Sequence, residues 1–185
     1  MKVLGYDFFC RPARLVAKEL LGKIFVRKLR GKTFMGRVVE TEAYLGSKDP
    51  ASHACKGLTK RNSVMFGKPG VSYIYLCYGF HYMMNVVTEK EGVAGAVLLR
   101  GVEPLKGLGN KATNGPGKIA GAFKLGKKDN RLLLAKKNGL YFAEDGYKSF
   151  KIVKTGRIGI KQGQDLPLRY YIEGSKYVSK LKSNY

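Results

Sequence analysis

Two glutamates alternate with small or apolar residues in a strand-like segment near the start of the chain. Residues 38–45 read Val-Val-Glu-Thr-Glu-Ala-Tyr-Leu, and the two-residue period of a strand places Glu40, Glu42 and Tyr44 on one face. The intervening residues are mostly apolar, so we expect one face to be core and the other a site or solvent. A carboxylate there can act as a general base that activates water. It can equally form an ion pair with one of the many basic residues.

The chain is strongly basic. Its 185 residues contain 35 Lys and Arg against 13 Asp and Glu, a formal net charge of +22. Such an excess favours a polyanionic partner, because self-repulsion alone only destabilises the folded state. Nucleic acid is the first candidate and an anionic membrane surface the second; a basic protein without such a partner is the remaining alternative. A glutamate that would repel a polyanion is expected to have a chemical task.

A second segment concentrates aromatic side chains without charge. Residues 72–85 contain four tyrosines, a phenylalanine and a histidine, and they read as two strands folded at Gly79. Tyr73 and Tyr75 share a face, and Tyr78 stands at the tip. Such rings can stack on bases or wedge between base pairs. Ordinary aromatic cross-strand packing in an edge hairpin explains the pattern equally well.

Cysteine usage and hydropathy restrict the setting. Cys10, Cys55 and Cys77 are odd in number and form no C-x-x-C pair, which indicates a reducing compartment rather than a disulfide framework. The amino-terminal residues contain no apolar run long enough for a signal peptide. Residues 69–88 are uncharged and long enough to span a bilayer, but their polar side chains and four tyrosines argue against a membrane span.

Other catalytic motifs are weaker. The sequence Gly-Leu-Gly-Asn-Lys-Ala from Gly107 matches a dinucleotide-binding pattern, but Pro104 separates it from the preceding strand and no βαβ unit follows. The histidines and cysteines lack the spacing of a zinc site, and no serine lies in a nucleophile-elbow pattern. Metal-free chemistry by a carboxylate is the interpretation that remains.

The order of elements predicts one α+β domain over residues 1–185. We expect a curved, largely antiparallel sheet that resembles an open barrel, with flanking helices and a protruding β-hairpin. Predicted helices cover residues 11–22 and 117–126, and predicted strands cover residues 23–29, 34–45, 72–78, 80–88, 94–104, 151–160 and 168–174.

Four blocks of sequence carry a more specific signal: RVVETEAYLG, ASHACKGLTKRNSVMF, KPGVSYIYLCYGFHYMMNV and AVLLRGVEPL. With FFCRPARLVAKELLGKIFVRKL, GPGKIA, GRIGI and LPLRYYIEGSKYVS, they resemble the alkyladenine (3-methyladenine) DNA glycosylase family, in the family's order and over nearly the whole chain. The resemblance implies a monofunctional hydrolase of base-excision repair. Such an enzyme flips alkylated or deaminated purines out of DNA and hydrolyses the N-glycosidic bond with a Glu-activated water, leaving an abasic site.

The resemblance also implies catalytic roles for individual residues. Glu42 matches the general base that deprotonates the water attacking C1′ of the flipped nucleotide. Arg100 matches the residue that helps to hold this water and the carboxylate, and a main-chain carbonyl from residues 157–160 is expected to complete the water site. Glu40 receives no catalytic role from the resemblance, and a basic structural partner is expected for it.

The base pocket and the DNA wedge follow from the same resemblance. Tyr44, His53 and Tyr75 match the pocket that sandwiches the damaged base. Asn85 matches the group that crowds the purine 2-position and so penalises guanine. Tyr78 matches the side chain that enters the gap left by the flipped nucleotide. Because family members vary at the positions of Phe80 and Met83, the resemblance does not rank the lesions.

The resemblance further implies a partner and a setting. The partner is double-stranded DNA containing damaged purines, bound by a monomer without a metal, an organic cofactor or a membrane. A bacterial-type cytoplasmic setting, associated with the nucleoid, is favoured over a nucleus because no nuclear-targeting tail is recognisable. Two rival hypotheses stay open: a non-catalytic basic nucleic-acid-binding protein, and a bifunctional glycosylase/lyase that uses a lysine amine as nucleophile.

Overall fold

The computed structural model describes residues 1–179, and within them strands outnumber helices. The strands are β1 (Lys2–Val3), β2 (Ile24–Leu29), β3 (Lys32–Tyr44), β4 (Ser72–Cys77), β5 (His81–Val87), β6 (Ala96–Lys106), β7 (Leu140–Glu144), β8 (Ile152–Thr155) and β9 (Arg169–Ile172). The α-helices are α1 (Tyr6–Phe9), α2 (Ala13–Leu20) and α3 (Pro116–Ala122). Short 3₁₀ helices cover Gly46–Lys48, Ser63–Phe66, Lys127–Asp129 and Lys136–Asn138. Over these 179 residues, no helix has the length and apolar character needed to cross a membrane.

The strands form one antiparallel sheet that curls into a half-barrel. The order along the sheet is β1-β7-β2-β3-β6-β5-β4, and β8 and β9 lie off this path. The long strand β3 pairs with β2 along its first half and with β9 at Glu40–Glu42, while β6 occupies its other edge. Register shifts on either side of Glu40 interrupt the β3–β6 ladder, and such bulges bend a strand. The predicted fold class is thus confirmed.

The core holds strand β3 against helix α2. Val16, Ala17 and Leu20 of α2 are completely buried, as the apolar spacing of this helix requires. The hydroxyl of Thr41 donates a hydrogen bond of 2.8 Å to the main-chain carbonyl of Ala17. This bond fixes β3 to the helix at the residue between the two glutamates.

Several predicted element boundaries need correction. Strand β6 does not stop at Pro104 but continues to Lys106, because Pro104 lies opposite Gly36 at a register shift, where a missing N–H costs little. Strand β8 ends at Thr155, so residues 157–160 form an irregular segment rather than a strand. The short strands β1 and β7 and the one-turn helix α1 were not predicted.

Candidate active site

Glu42 lies at the centre of the sheet with its side chain completely buried. Three groups of the described residues donate hydrogen bonds to its carboxylate. The main-chain N–H of Ile158 reaches Oε1 at 3.0 Å, the Tyr44 hydroxyl reaches Oε2 at 2.9 Å, and Arg100 Nη1 reaches Oε2 at 3.3 Å. The main-chain carbonyl of Ile158 accepts a hydrogen bond from the same Arg100 nitrogen at 3.3 Å. Arg100 therefore binds both the Glu42 carboxylate and the residue whose N–H donates to it.

Opposing effects set the acidity of Glu42. Burial is the largest and raises the pKa of its carboxyl above the ordinary value, and the charge of Glu40 adds to this. The Arg100 charge, the Ile158 N–H and the Tyr44 hydroxyl each lower the pKa and offset part of the rise. A carboxyl with a raised pKa is a stronger base once it is ionised, which suits proton abstraction near neutral pH.

Glu40 is buried just as completely but has different partners. Its carboxylate accepts hydrogen bonds from Arg169 Nε at 2.6 Å and from the main-chain N–H of Ser179, also at 2.6 Å. Arg100 Nε lies 3.6 Å from Glu40 Oε1, so this arginine stands between the two carboxylates. The expected basic structural partner of Glu40 is Arg169. Burial of both carboxylates also means that neither face of this strand segment is open to solvent.

A cavity of about 880 Å³ opens beside Glu42. Apart from Glu42 itself, every site residue expected from the sequence lines it: Tyr44, His53, Tyr75, Tyr78, Asn85 and Arg100. Tyr44, Arg100 and Ile158 line the cavity and also contact the Glu42 carboxylate, which makes them the link between the open space and the buried acid.

Three aromatic rings form one wall of this cavity. The ring centroids of His53 and Tyr75 are 4.5 Å apart, and those of Tyr73 and Tyr75 are 5.3 Å apart. His53 Nδ1 and the Tyr73 hydroxyl share a hydrogen bond of 2.8 Å. Partial burial lowers the pKa of His53, and the nearby Arg61 guanidinium lowers it further. A neutral imidazole therefore faces the cavity at pH 7, which suits stacking against a flat base.

Asn85 is held rigidly at the same wall. It is buried, and its side-chain Nδ2 donates to the main-chain carbonyl of Tyr73 at 3.1 Å and to that of Met83 at 3.3 Å. Two bonds to the backbone of the aromatic hairpin fix the orientation of this carboxamide. Asn85 thus presents a fixed steric boundary to anything in the cavity.

Tyr78 stands at the tip of the β4–β5 hairpin. Tyr78 and Gly79 both have positive φ, +51° and +78°, and the N–H of Phe80 closes the turn on the carbonyl of Cys77. Such a turn matches the twist of the flanking strands, and glycine adopts it without strain. Tyr78 is 80% exposed and Phe80 69% exposed. The Phe80 ring packs against His81 with centroids 4.3 Å apart, whereas the 80% exposure of Tyr78 is more than ordinary cross-strand packing explains.

The sequence analysis missed a buried ion pair beside the site. Arg157 Nη1 and Nη2 donate to the two carboxylate oxygens of Asp49 at 2.6 and 2.7 Å, and both side chains are completely buried. Two signals were available: acidic residues are scarce in this chain, and Arg157 begins the block Arg-Ile-Gly-Ile that the resemblance had already marked.

The sequence is similar to known proteins over nearly its whole length. The sequence profile of the "Methylpurine-DNA glycosylase (MPG)" family matches residues 7–176. A protein of Legionella pneumophila (strain Lens), named "Putative 3-methyladenine DNA glycosylase", is 48% identical over 185 residues, covering 97% of this chain and 100% of its own. Proteins with the same name from Chlorobaculum tepidum and Clostridium perfringens are 46% and 38% identical, covering 97% and 96% of this chain and 92% and 98% of their own. The chain belongs to the methylpurine-DNA glycosylase family.

Proposed function

We propose that this protein is a monofunctional DNA glycosylase. It flips an alkylated or deaminated purine out of double-stranded DNA, hydrolyses the N-glycosidic bond and leaves an abasic site. One observation carries the proposal: a buried carboxylate, Glu42, is held by an arginine and a main-chain N–H beside a cavity of about 880 Å³ walled by aromatic rings. The family membership supports the same reaction.

The Glu42 carboxylate can accept one more hydrogen bond. Two oxygens offer about four acceptor positions, and three are used by Ile158, Tyr44 and Arg100 among the described residues. The remaining position is on Oε1, beside Ile158. A water bound there would donate one hydrogen bond to the Glu42 carboxylate and a second one to the Ile158 carbonyl. Arg100 Nη1 donates to both that carbonyl and the carboxylate and so keeps the two acceptors close together.

The reaction exchanges one bond at C1′ for another. The water oxygen bonds to C1′, its proton passes to Glu42, and the C1′–N9 bond breaks with both electrons leaving on the purine. An N3- or N7-alkylated purine is cationic and leaves as a neutral molecule, so it needs no added proton. A deaminated purine such as hypoxanthine is neutral, so it leaves as an anion unless it takes a proton from solvent as the bond breaks. Cationic lesions are therefore the easier substrates for this site.

The cavity walls would hold the flipped base by stacking. Tyr44, His53 and Tyr75 offer flat faces, and base–aromatic stacking is worth about 1–3 kcal/mol per base. Burial raises the pKa of Tyr44 and of Tyr75, so both phenols are protonated and uncharged at neutral pH. They therefore exert no charge repulsion on a stacked base. Asn85, fixed by its bonds to the backbone, would crowd an exocyclic amine at the purine 2-position.

The duplex would be bound by charge and opened by the hairpin tip. Basic side chains supply phosphate contacts independent of sequence, which a net charge of +22 favours. Tyr78 would fill the place that the flipped nucleotide leaves in the stack. Because the named relatives are bacterial, we infer that the protein acts on the nucleoid in the cytoplasm. We propose that it does so as a monomer.

A panel of duplex oligonucleotides tests the proposal. Each carries one of 3-methyladenine, 7-methylguanine, hypoxanthine or ethenoadenine, and alkaline cleavage after incubation reports abasic sites. We expect cleavage at one or more lesions and none at undamaged purines. Binding of every duplex without abasic sites would favour the non-catalytic rival. Strand cleavage without alkali, with a Schiff base trapped by borohydride, would favour the lyase rival.

A further inference from the structure

The ion pair between Asp49 and Arg157 is completely buried and close to the site, yet neither residue lines the cavity. Each of the two Arg157 nitrogens makes a second bond: Nη1 donates to the main-chain carbonyl of Ala43 at 3.0 Å, and Nη2 to that of Gly163 at 3.3 Å. Its Nε is buried without a partner among the described residues. Because each Nη nitrogen makes two hydrogen bonds, the planar guanidinium fixes the positions of the groups bonded to it.

The pair holds both sequence neighbours of Tyr44. Arg157 binds the carbonyl of Ala43, and Asp49 Oδ2 accepts from the N–H of Leu45 at 3.1 Å. The guanidinium carbon lies 4.8 Å from the centroid of the Tyr44 ring, in cation–π contact with it. The ring that lines the cavity is thus fixed from its backbone and from one face.

The same pair holds the segment that contacts the general base. Ile158 follows Arg157 directly, and its N–H and carbonyl bind Glu42 and Arg100. The bond from Arg157 to Gly163 ties the far end of this loop to the same guanidinium. Residues 157–163 are irregular, so no strand pairing fixes them, and the ion pair takes over that task.

We propose that Asp49 and Arg157 are positioning residues that hold the Tyr44 ring and the Ile158 N–H in a fixed relation to Glu42. The inference rests on the proposed role of Glu42 as the general base. The pair touches no reacting atom; it aligns the group that stacks on the base with the group that activates water. Misplacement of catalytic groups by about 1 Å can cost on the order of 100-fold in rate.

A pH profile distinguishes positioning from simple structural support. Loss of the Ile158 hydrogen bond removes a contact that favours the charged carboxylate, so the pKa of Glu42 rises. As the pH is lowered, activity is then lost at a higher pH than in the wild type. A loss of folded protein instead lowers the rate equally at every pH. The charged and titratable groups that face Glu42 or its partners are Arg100 on β6, Tyr44 and Glu40 on β3, Tyr75 on β4, Arg169 on β9, and Arg157 itself.

The experiment compares Arg157→Lys with a matched control, Arg27→Lys. Lysine keeps the charge of Arg157 but cannot form the fork that joins Asp49, Ala43 and Gly163. Arg27 forms a nearly as deeply buried pair with Asp129 at 2.7 Å and also leaves its Nε without a partner among residues 1–179. Arg27 neither lines the cavity nor contacts Glu42. Single-turnover excision is measured from pH 5 to 9, with circular dichroism confirming folded protein at each pH.

We expect the acid limb of Arg157→Lys to move up by about one pH unit and its plateau rate to fall about ten- to 100-fold. Arg27→Lys should lower the melting temperature about as much as Arg157→Lys does, but it should leave the acid limb unchanged. An unshifted limb in Arg157→Lys, with a rate loss equal at every pH, would overturn the proposal.

Asp49→Asn provides a second variant that keeps the shape of the side chain. It should shift the limb in the same direction, because the Asn side chain cannot accept both forks of Arg157. An unshifted limb in a folded Asp49→Asn protein would also count against the proposal. If the wild-type protein forms no abasic sites, the proposed function itself fails, which this comparison separates from failure of the positioning role.

Discussion

The Tyr44 hydroxyl donates a hydrogen bond of 2.9 Å to Glu42 Oε2, from a residue two positions along the same strand. The strand period that put both side chains on one face therefore also puts them in contact. Under the proposed function, the ring that stacks on the damaged base is bonded to the carboxylate that activates water. The same proposal couples base binding and water activation through this one bond.

This contact predicts a pH effect for Tyr44→Phe. The wild-type rate should fall on the acid side with a midpoint above 4.5, because burial raises the pKa of Glu42 and only its ionised form accepts a proton. Removal of the hydroxyl removes a bond that lowers this pKa, so the midpoint should rise by roughly one pH unit. Single-turnover rates against pH measure it. Tyr75→Phe keeps a ring in the cavity and leaves this bond in place, so its midpoint should match wild type; a midpoint unchanged in Tyr44→Phe would contradict the coupling.

Glu42→Gln should abolish excision while leaving binding to damaged DNA nearly intact. The substitution keeps the shape of the side chain but removes the base, whose contribution is on the order of 10²–10⁴-fold or more. Excision rates and electrophoretic mobility shifts on the same duplex separate the two effects.

Glu40→Gln is the matched control for that prediction. The main partners of the Glu40 carboxylate are Arg169 and Ser179, and Arg100 is the one cavity-lining residue in an ion pair with it among the described residues. We therefore expect Glu40→Gln to have reduced thermal stability and to retain excision. If Glu40→Gln is inactive and Glu42→Gln excises at the wild-type rate, the assignment between the two glutamates is wrong.

Much of the fold could be predicted because it depends on local pattern. The period of two in residues 38–45 and the glycine between two aromatic strands each specify short-range geometry. Strand β7, by contrast, has only five residues and is placed by its pairing with β2, which no local pattern reveals. The irregular course of residues 157–160 likewise depends on the distant Asp49, so the local apolar pattern wrongly predicted a strand.

The candidate site divides in the same way. Glu42 and Tyr44 could be paired from the sequence because they lie on one strand. The six expected site residues that line the cavity came from the family resemblance, since residues as far apart as Tyr44 and Arg100 meet only in the folded sheet. The Asp49–Arg157 pair joins positions 108 apart, and neither spacing nor the resemblance predicted it.

Binding to undamaged duplex DNA should weaken steeply as salt increases. Each lysine or arginine that neutralises a phosphate releases counterions, so log K against log salt has a slope of about −0.9 per phosphate contacted. Residues 106–139 contain nine basic side chains and one acidic one, and we expect part of the slope to come from this segment. Fluorescence anisotropy at several salt concentrations measures it. A flat response would rule out nucleic acid as the reason for the net charge.

Tyr78→Ala should impair base flipping without impairing bond cleavage. Flipping costs a few kcal/mol in lost stacking and pairing, and a ring that fills the vacated space offsets part of this cost. Tyr78 is 80% exposed on a turn that Gly79 permits, so its removal leaves the sheet and Glu42 undisturbed. The fluorescence change of ethenoadenine in duplex DNA, which reports unstacking, should weaken. Leu105→Ala on β6 serves as the control for loss of apolar surface, because Leu105 is 47% exposed and does not line the cavity.

The dependence of the Tyr78→Ala defect on the opposing base tests the wedge role most directly. A stably paired lesion needs more help to leave the stack than a mismatched one, so the loss of activity should be larger on the stable pair. Single-turnover rates on the same lesion in both contexts give this ratio, and saturating enzyme removes differences in binding. A single-stranded substrate has no partner strand to replace, so Tyr78→Ala should cleave it at the wild-type rate. Equal losses in all three contexts, with flipping unchanged, would show that Tyr78 contributes elsewhere than in the stack.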